Sequence, residues 1–351
     1  MRRALVAGAL LVFTLSVAPA PSLLDARISS LLEKSGVPSV SIAQIADGKV
    51  TTLAAYGMQS PGVAATVDTL YDVASLTKPI TAQTVLRLVA LGRIFLDEPM
   101  YVYWTDPDIA TDDRRFLLTP RLALSHQTGF PNWRRQTGGK LTFRWTPGTK
   151  YGYSGEGYQY LMRFVQTKLD VDFGQLVQTL TFAPDQMTNT GFGSQLSARR
   201  LATPTRADGT ILKPAFSDGY NAADLVYSTP SDYAKFMIAV SKATGLTGAL
   251  AEEQHTIQVQ TENSCKQETF GCPKAVGFGL GWEVVRFQDD TLLDHDGSDE
   301  GYKSFAYLSL THRTGAVIFT NGDGGMDLVV PILGALGASP EYLAYLRASG
   351  V

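Results

Sequence analysis

Strand-like runs stand near both ends of this 351-residue chain, and the stretch between them reads as helix and loop. Near the start, Ser39 to Ala46 and Lys49 to Tyr56 flank Asp47-Gly48, a dipeptide suited to the positive-φ positions of a two-residue hairpin turn. Near the end, Leu280 to Phe287, Thr291 to Asp294, Phe305 to Leu310 and Ala316 to Asn321 have strand character. Tyr158 to Leu169, Phe173 to Leu180 and Ser231 to Ala243 are helical candidates parted by Pro and Gly clusters. Leu23 to Lys34 and Asp327 to Leu336 add a helix at either end. This order predicts one sheet built from both chain ends, about residues 36–72 and 277–322, with a mainly helical insertion over about 80–245, an α+β architecture. The functional site is expected where the insertion meets the sheet.

Hydrophobic residues make up 44% of the chain and charged residues 18%, enough apolar surface for a large core. The net charge of -3 offers no basic surface for nucleic acid or an anionic membrane. Arg2 and Arg3, the apolar run Ala4 to Val17 and the small residues Ala18-Pro19-Ala20 form a signal-peptide pattern over residues 1–20. The run is short for a membrane span and no cysteine follows it, so we expect an exported, periplasmic or secreted domain over residues 21–351 without a stable membrane anchor. In an exported chain, Cys265 and Cys272 are expected to pair as a disulfide. They lack the flanking histidines of a zinc site.

Three short stretches carry the chemistry. In the first, Ser75-Leu76-Thr77-Lys78, a hydroxyl and an amine lie three residues apart. The segment that follows, with Ala82, Val85, Leu86 and Val89 on one face and Gly92 at its end, reads as a helix, so both groups fall on one side of its first turn. A serine hydroxyl needs a base, and burial or a helix N-terminus can lower a lysine's proton affinity enough to supply one. Tyr153-Ser154-Gly155 offers a phenol, and His295-Asp296-Gly297 an imidazole beside a glycine. Two other chemistries fit poorly. Asp294, His295, Asp296 and Asp299 lack the spacing of a histidine-based metal motif. Gly152-Tyr153-Ser154-Gly155 lacks the final glycine of a nucleophile elbow, so Ser154 is not favoured as the nucleophile.

The context of Ser75 resembles the nucleophile segment of the serine β-lactamase and penicillin-binding protein superfamily. The motif reads Val73-Ala74-Ser75-Leu76-Thr77-Lys78-Pro79, followed by a helix and Leu88-Val89-Ala90-Leu91-Gly92-Arg93-Ile94-Phe95-Leu96-Asp97. Leu122 to Phe130, Pro147 to Leu161 and Asp294 to Ser304 resemble further family motifs, in the family's order. The nearest branch looks like class C β-lactamases, D-Ala-D-Ala carboxypeptidases and related esterases. The resemblance implies an antiparallel sheet flanked by helices, no cofactor, and a small-molecule partner: a carboxylic ester, a β-lactam or a D-amino-acid peptide. It implies Ser75 as nucleophile, with Lys78 and Tyr153 sharing proton transfer. The backbone N–H groups of Ser75 and Ser298 would form the oxyanion site, with His295 and Gly297 lining the substrate cleft. A Lys+ near Tyr153 would favour its phenolate. Gly155 departs from the family's asparagine, whose amide can bind a substrate carbonyl, and this favours esters over amides. A third reading is a penicillin-binding scaffold with little turnover. The oligomeric state is left open.

Overall fold

The computed structural model describes residues 23–193, 196–261, 265 and 269–351, so the signal-peptide expectation over residues 1–20 lies outside the described residues. The chain opens with α1 (Leu23–Ser35), β1 (Ser39–Ala46), β2 (Lys49–Ser60), β3 (Val63–Ala64) and β4 (Tyr71–Asp72). The middle contains α2 (Thr77–Ala90), α3 (Pro120–Leu124), α4 (Gly155–Leu169), α5 (Phe173–Val177), β5 (Tyr227–Ser228), α6 (Pro230–Ser241) and α7 (Gly248–Gln254). It closes with β6 (Val259–Gln260), β7 (Ala275–Phe278), β8 (Glu283–Arg286), β9 (Thr291–Asp299), β10 (Tyr302–Ser309), β11 (Gly315–Thr320), α8 (Val329–Ala335) and α9 (Pro340–Ser349).

Among the described residues one antiparallel sheet has the order β3-β2-β1-β11-β10-β9-β8-β7-β6, and β4 and β5 form a separate short ribbon. The joining of the two chain ends is the β1–β11 ladder, in which Ile42 faces Ile318. Strand alternation separates the two faces of the sheet. On β9, Leu292 points into a core with Ile28 of α1, Ile332 of α8 and Leu346 of α9, while Leu293 points into the core shared with the helical middle. The β1–β2 hairpin turns on Asp47 (φ 51°) and Gly48 (φ 65°), the positive-φ pair that its sequence predicts.

The structure differs from the sequence expectation in several elements. The predicted strand from Leu280 begins only at Glu283, because Gly281 (φ +97°) turns the backbone against the Cβ of Ala82 on α2. The helix predicted to Leu180 ends at Val177 and continues as a π-turn over Gln178–Phe182. The strand predicted over Thr291 to Asp294 runs on to Asp299, because Asp296 to Asp299 pair with Tyr302 to Phe305 of β10. An α9 helix follows where no element was predicted.

Helix α2 shows one buried face in its sequence, yet every residue from Thr77 to Leu88 is buried. Its apolar side chains Ile80, Val85 and Leu86 are fully enclosed, each worth roughly 1.5–3 kcal/mol of transfer free energy. Each of its polar side chains makes at least one hydrogen bond, which offsets part of the cost of burial, while Gln83 Nε2 has no partner among the described residues. Thr81 donates to the Ala222 carbonyl at 2.7 Å, Gln83 accepts from Gln254 at 3.0 Å, and Arg87 binds Asp185 at 2.8 Å. A helix held on all sides is a rigid mount for whatever its first turn carries.

Candidate active site

Ser75 lies in a single 3-10 turn, Ala74–Leu76, just ahead of α2. The turn begins with Ala74 at φ +47°, a left-handed conformation that costs a residue with a Cβ. The Ala74 N–H donates to Asp72 Oδ1 at 2.8 Å, which holds this turn in place. Ser75 is therefore presented half-exposed at the helix entrance while its neighbours are buried. Lys78 is wholly buried, and its Nζ lies 2.8 Å from Ser75 Oγ and 3.0 Å from the Ala223 carbonyl oxygen. Burial lowers its pKa from 10.5 to about 8, against the opposing pull of the Asp224 and Asp296 carboxylates. A neutral amine here donates one N–H to Ala223 and turns its lone pair to the serine hydroxyl.

Tyr153 comes from the segment ahead of α4, and its ring lies 4.7 Å from Lys78 Nζ. Burial pushes its phenol well above the ordinary value, and the Ser75 hydroxyl, close enough to hydrogen-bond it, pulls only partly the other way. The phenolate expected from a nearby Lys+ is thus not the stable form at neutral pH, since a buried anion loses more hydration than one neighbouring cation returns. Ser154 is not available as a nucleophile. It is the buried N-cap of α4, accepting from the Gly157 N–H at 2.9 Å and donating to the Pro131 carbonyl at 2.8 Å.

The third stretch meets the first at the sheet. β8 pairs only with Thr291–Asp294, so the edge of β9 from His295 to Asp299 is free of β8 beside Ser75. A Cβ on Gly297 would fall 2.4 Å from the Val73 carbonyl oxygen, 3.2 Å from the Ser75 nitrogen and 2.1 Å from Ser304 Oγ, so only glycine permits this approach. Ser304 Oγ donates to the Val73 carbonyl at 2.7 Å and locks the strand pair to the turn. Asp299 and Tyr302 flank a two-residue hairpin and so exchange backbone bonds; the alternation then turns the N–H of Ser298 to the free edge. His295 is buried, with Nδ1 2.6 Å from the Asp296 carbonyl oxygen, and burial lowers its pKa to about 4.

Other residues support this cluster without having stood out in the sequence. His126, fully buried at φ +57°, packs tilted against the Tyr153 ring with centroids 4.3 Å apart and accepts the Ser154 N–H at Nδ1, 3.0 Å away. Trp133 explains Gly155. A Cβ at position 155 would lie 2.8–3.0 Å from three atoms of the indole, so the ring occupies the space a side chain would need. The Trp133 segment is fastened to α4 by Arg134, whose guanidinium reaches Glu156 at 2.8 Å, and by Asn132, which accepts the Gly155 N–H at 2.9 Å. Carboxylate oxygens of Asp72, Asp224 and Asp299 lie within 4.8 Å of one another beside the cluster. Burial and then mutual repulsion raise Asp72 well above the usual range and Asp224 to about 6. Away from the cluster, Cys265 and Cys272 are joined in a disulfide.

A half-exposed serine at the start of a buried helix thus lies against a buried amine, beside the free edge of an antiparallel strand. A profile of the family described as Beta-lactamase matches residues 24–336, nearly all of the described chain, and the chain belongs to that family. "Protein flp" of Staphylococcus aureus (strain COL) is 23% identical over 322 residues, covering 85% of this chain, which spans only 62% of that protein's length. "Penicillin-binding protein 4" of Amycolatopsis lactamdurans is 23% identical over 356 residues, with 91% of each chain covered. Among solved structures, the D-amino acid amidase of Ochrobactrum anthropi has a TM-score of 0.71 at 21% identity, covering 90% of this chain and 98% of its own. The D-alanine carboxypeptidase AmpC of Burkholderia cenocepacia has a TM-score of 0.71 at 20% identity, covering 89% and 97%. These structural likenesses establish the β-lactamase/transpeptidase-like α+β fold. No described helix is long and apolar enough to cross a membrane.

Proposed function

We propose that this chain hydrolyses carboxylic esters, and β-lactams less well, through an acyl-enzyme on Ser75. The reading rests on one observation above the rest: Ser75 Oγ lies 2.8 Å from the buried Lys78 amine, whose proton affinity is lowered. Lys78 takes the Ser75 proton as Oγ attacks the carbonyl, forming a tetrahedral oxyanion. The N–H groups of Ser75 and Ser298 hold that oxyanion, and the close approach permitted by Gly297 brings them together. Tyr153, a phenol at rest, gives its proton to the leaving group and takes in return the one that Lys78 received, so the phenol is restored and Lys78 is neutral again; His126 and Lys78 fix its ring. Water then releases the acyl group by the reverse route, with Lys78 again as base. His295 lines the cleft as a neutral imidazole. Trp133 in place of a side chain at 155 leaves no amide for a substrate carbonyl, which supports esters over amides.

A second reading, a peptidase or amidase for D-amino-acid derivatives, draws on the names of the structural neighbours, whose likeness reaches only to the fold. The disulfide and the N-terminal pattern support export. The experiment is turnover of p-nitrophenyl butyrate, a chromogenic cephalosporin and a D-Ala-D-Ala peptide by the mature protein, beside Ser75→Ala. Multiple turnovers on the ester, lost in the variant, are expected. Turnover that survives Ser75→Ala, or a single stoichiometric acylation without release, would overturn the reading.

A further inference from the structure

Where β8 leaves β9, beside the proposed catalytic cluster, the sheet edge opens into a cavity of about 160 Å³. A cavity of this size accommodates a benzene-sized guest. Tyr153 and His295 belong both to its wall and to the catalytic cluster, so a substrate held by Ser75 can extend into it.

The hydrogen-bonding state of His295 tells what would fill it. A carbonyl oxygen can only accept, so Nδ1, 2.6 Å from the Asp296 carbonyl, carries the ring's hydrogen. Nε2 is then a lone pair. It is buried without a hydrogen-bond partner among the described residues, in a side chain that is 3% exposed. A buried acceptor with no donor is costly, and a ligand bearing an N–H relieves it. A carboxylate oxygen facing that lone pair would be repelled.

The surrounding charge has the same preference. Asp296 lines the cavity as an exposed carboxylate, and Glu283 and Asp294 face each other across β8 and β9 in its wall. Burial raises both of the latter, Asp294 to about 7, so this pair retains a proton and part of its charge. Tyr342 donates to Asp294 Oδ2 at 2.6 Å and stabilises that charge. No lysine or arginine among the described residues lines the cavity. Lys150 of the adjoining outer cleft lies over the Trp145 ring. The faces of Tyr151, stacked on Phe278 at 5.5 Å, complete a lining of aromatic rings and carboxylates, which suits an ammonium.

We propose that this cavity is a subsite for a primary or secondary ammonium group of the substrate, seated on the Asp296 carboxylate and, by a tilt of the buried His295 ring towards the cavity, donating an N–H to its Nε2. The enzyme would then take amine-bearing substrates ahead of carboxylate-bearing ones. This inference rests on the Ser75 reading above.

The test uses p-nitrophenyl esters of 6-aminohexanoic, heptanoic and adipic acids, which present an ammonium, a methyl and a carboxylate at the same reach. A second series carries the same three end groups on the leaving alcohol. In at least one series kcat/KM is expected to be roughly tenfold or more higher for the ammonium than for the methyl, and lower again for the carboxylate. Asp296→Asn, a change at an exposed position, should bring the ammonium-to-methyl ratio towards one, and His295→Lys should invert the order of ammonium and carboxylate. Equal rates for ammonium and methyl in both series, with hydrolysis still lost in Ser75→Ala, would overturn the subsite alone. Hydrolysis that persists in Ser75→Ala would overturn the underlying mechanism instead.

Discussion

Lys78 can accept the Ser75 proton only when its own amine is neutral, so hydrolysis should follow the titration of that amine. Its pKa is lowered from 10.5 to about 8, with burial the largest cause. At pH 7 roughly one enzyme in ten then holds a neutral amine; at the unshifted value it would be roughly one in three thousand. For a neutral ester, kcat/KM should climb about tenfold between pH 7 and a plateau above about pH 9. Tyr153 lies above its ordinary 10.0, so loss of its proton should not cut the plateau below about pH 10. Asp296 favours the ammonium form of Lys78. Asp296→Asn should therefore move the rising limb to lower pH, on the order of half a unit for an exposed charge. The assay is initial-rate hydrolysis of p-nitrophenyl butyrate from pH 5.5 to 10.5, corrected for the uncatalysed reaction. A limb centred near 6.5 that ignores Asp296→Asn, or a rate still climbing beyond pH 10, would refute Lys78 as the base.

The same shift acts on stability. The folded amine loses its proton near pH 8 and the unfolded one near 10.5, so the unfolded state binds more protons between those values and stability rises with pH across that window. Relative to Lys78→Met, which lacks this titration, the wild type should gain about 2 kcal/mol of unfolding free energy from pH 8 to pH 10 in urea titrations; a constant difference would contradict the depressed pKa. Gly155→Asn alone must displace the Trp133 ring and should lower kcat/KM on all substrates roughly tenfold. Adding Trp133→Ala should recover activity and raise the amide-to-ester ratio, whereas a ratio unchanged in the double variant removes the missing amide as the reason for ester preference. Replacing both Cys265 and Cys272 by serine should cost about 2 kcal/mol in denaturant unfolding, the share expected of a short closed loop.

What the sequence reveals here is what local rules govern. Asp47-Gly48 specifies its own turn, and the three-residue spacing of Ser75 and Lys78 places both groups on one side of a helix start wherever that helix lies. The resemblance to a known family supplies the rest of the expected cluster, and the structure brings Tyr153 to Ser75 across 78 residues of chain and His295 and Gly297 across more than two hundred. Trp133 could not be read, because its contact with Gly155 depends on a loop that Arg134 and Asn132 fasten from a distance. Nor could the state of His295, whose tautomer follows from a backbone carbonyl and whose proton affinity follows from burial. Gly155 appeared as a missing amide; the structure makes it the seat of an indole. The structure reverses the expected protonation of Tyr153, since the resemblance implies its charged neighbour and nothing in the sequence shows its burial.

The covalent step is open to direct observation. The protein is mixed with p-nitrophenyl butyrate, quenched in acid within the first turnover and analysed by intact mass and peptide mapping. One butyryl group on the peptide containing Ser75, absent in Ser75→Ala and lost on longer incubation at neutral pH, is the predicted result. Full turnover with no acylated intermediate, or a butyryl group on any other residue, would contradict the acyl-enzyme on Ser75.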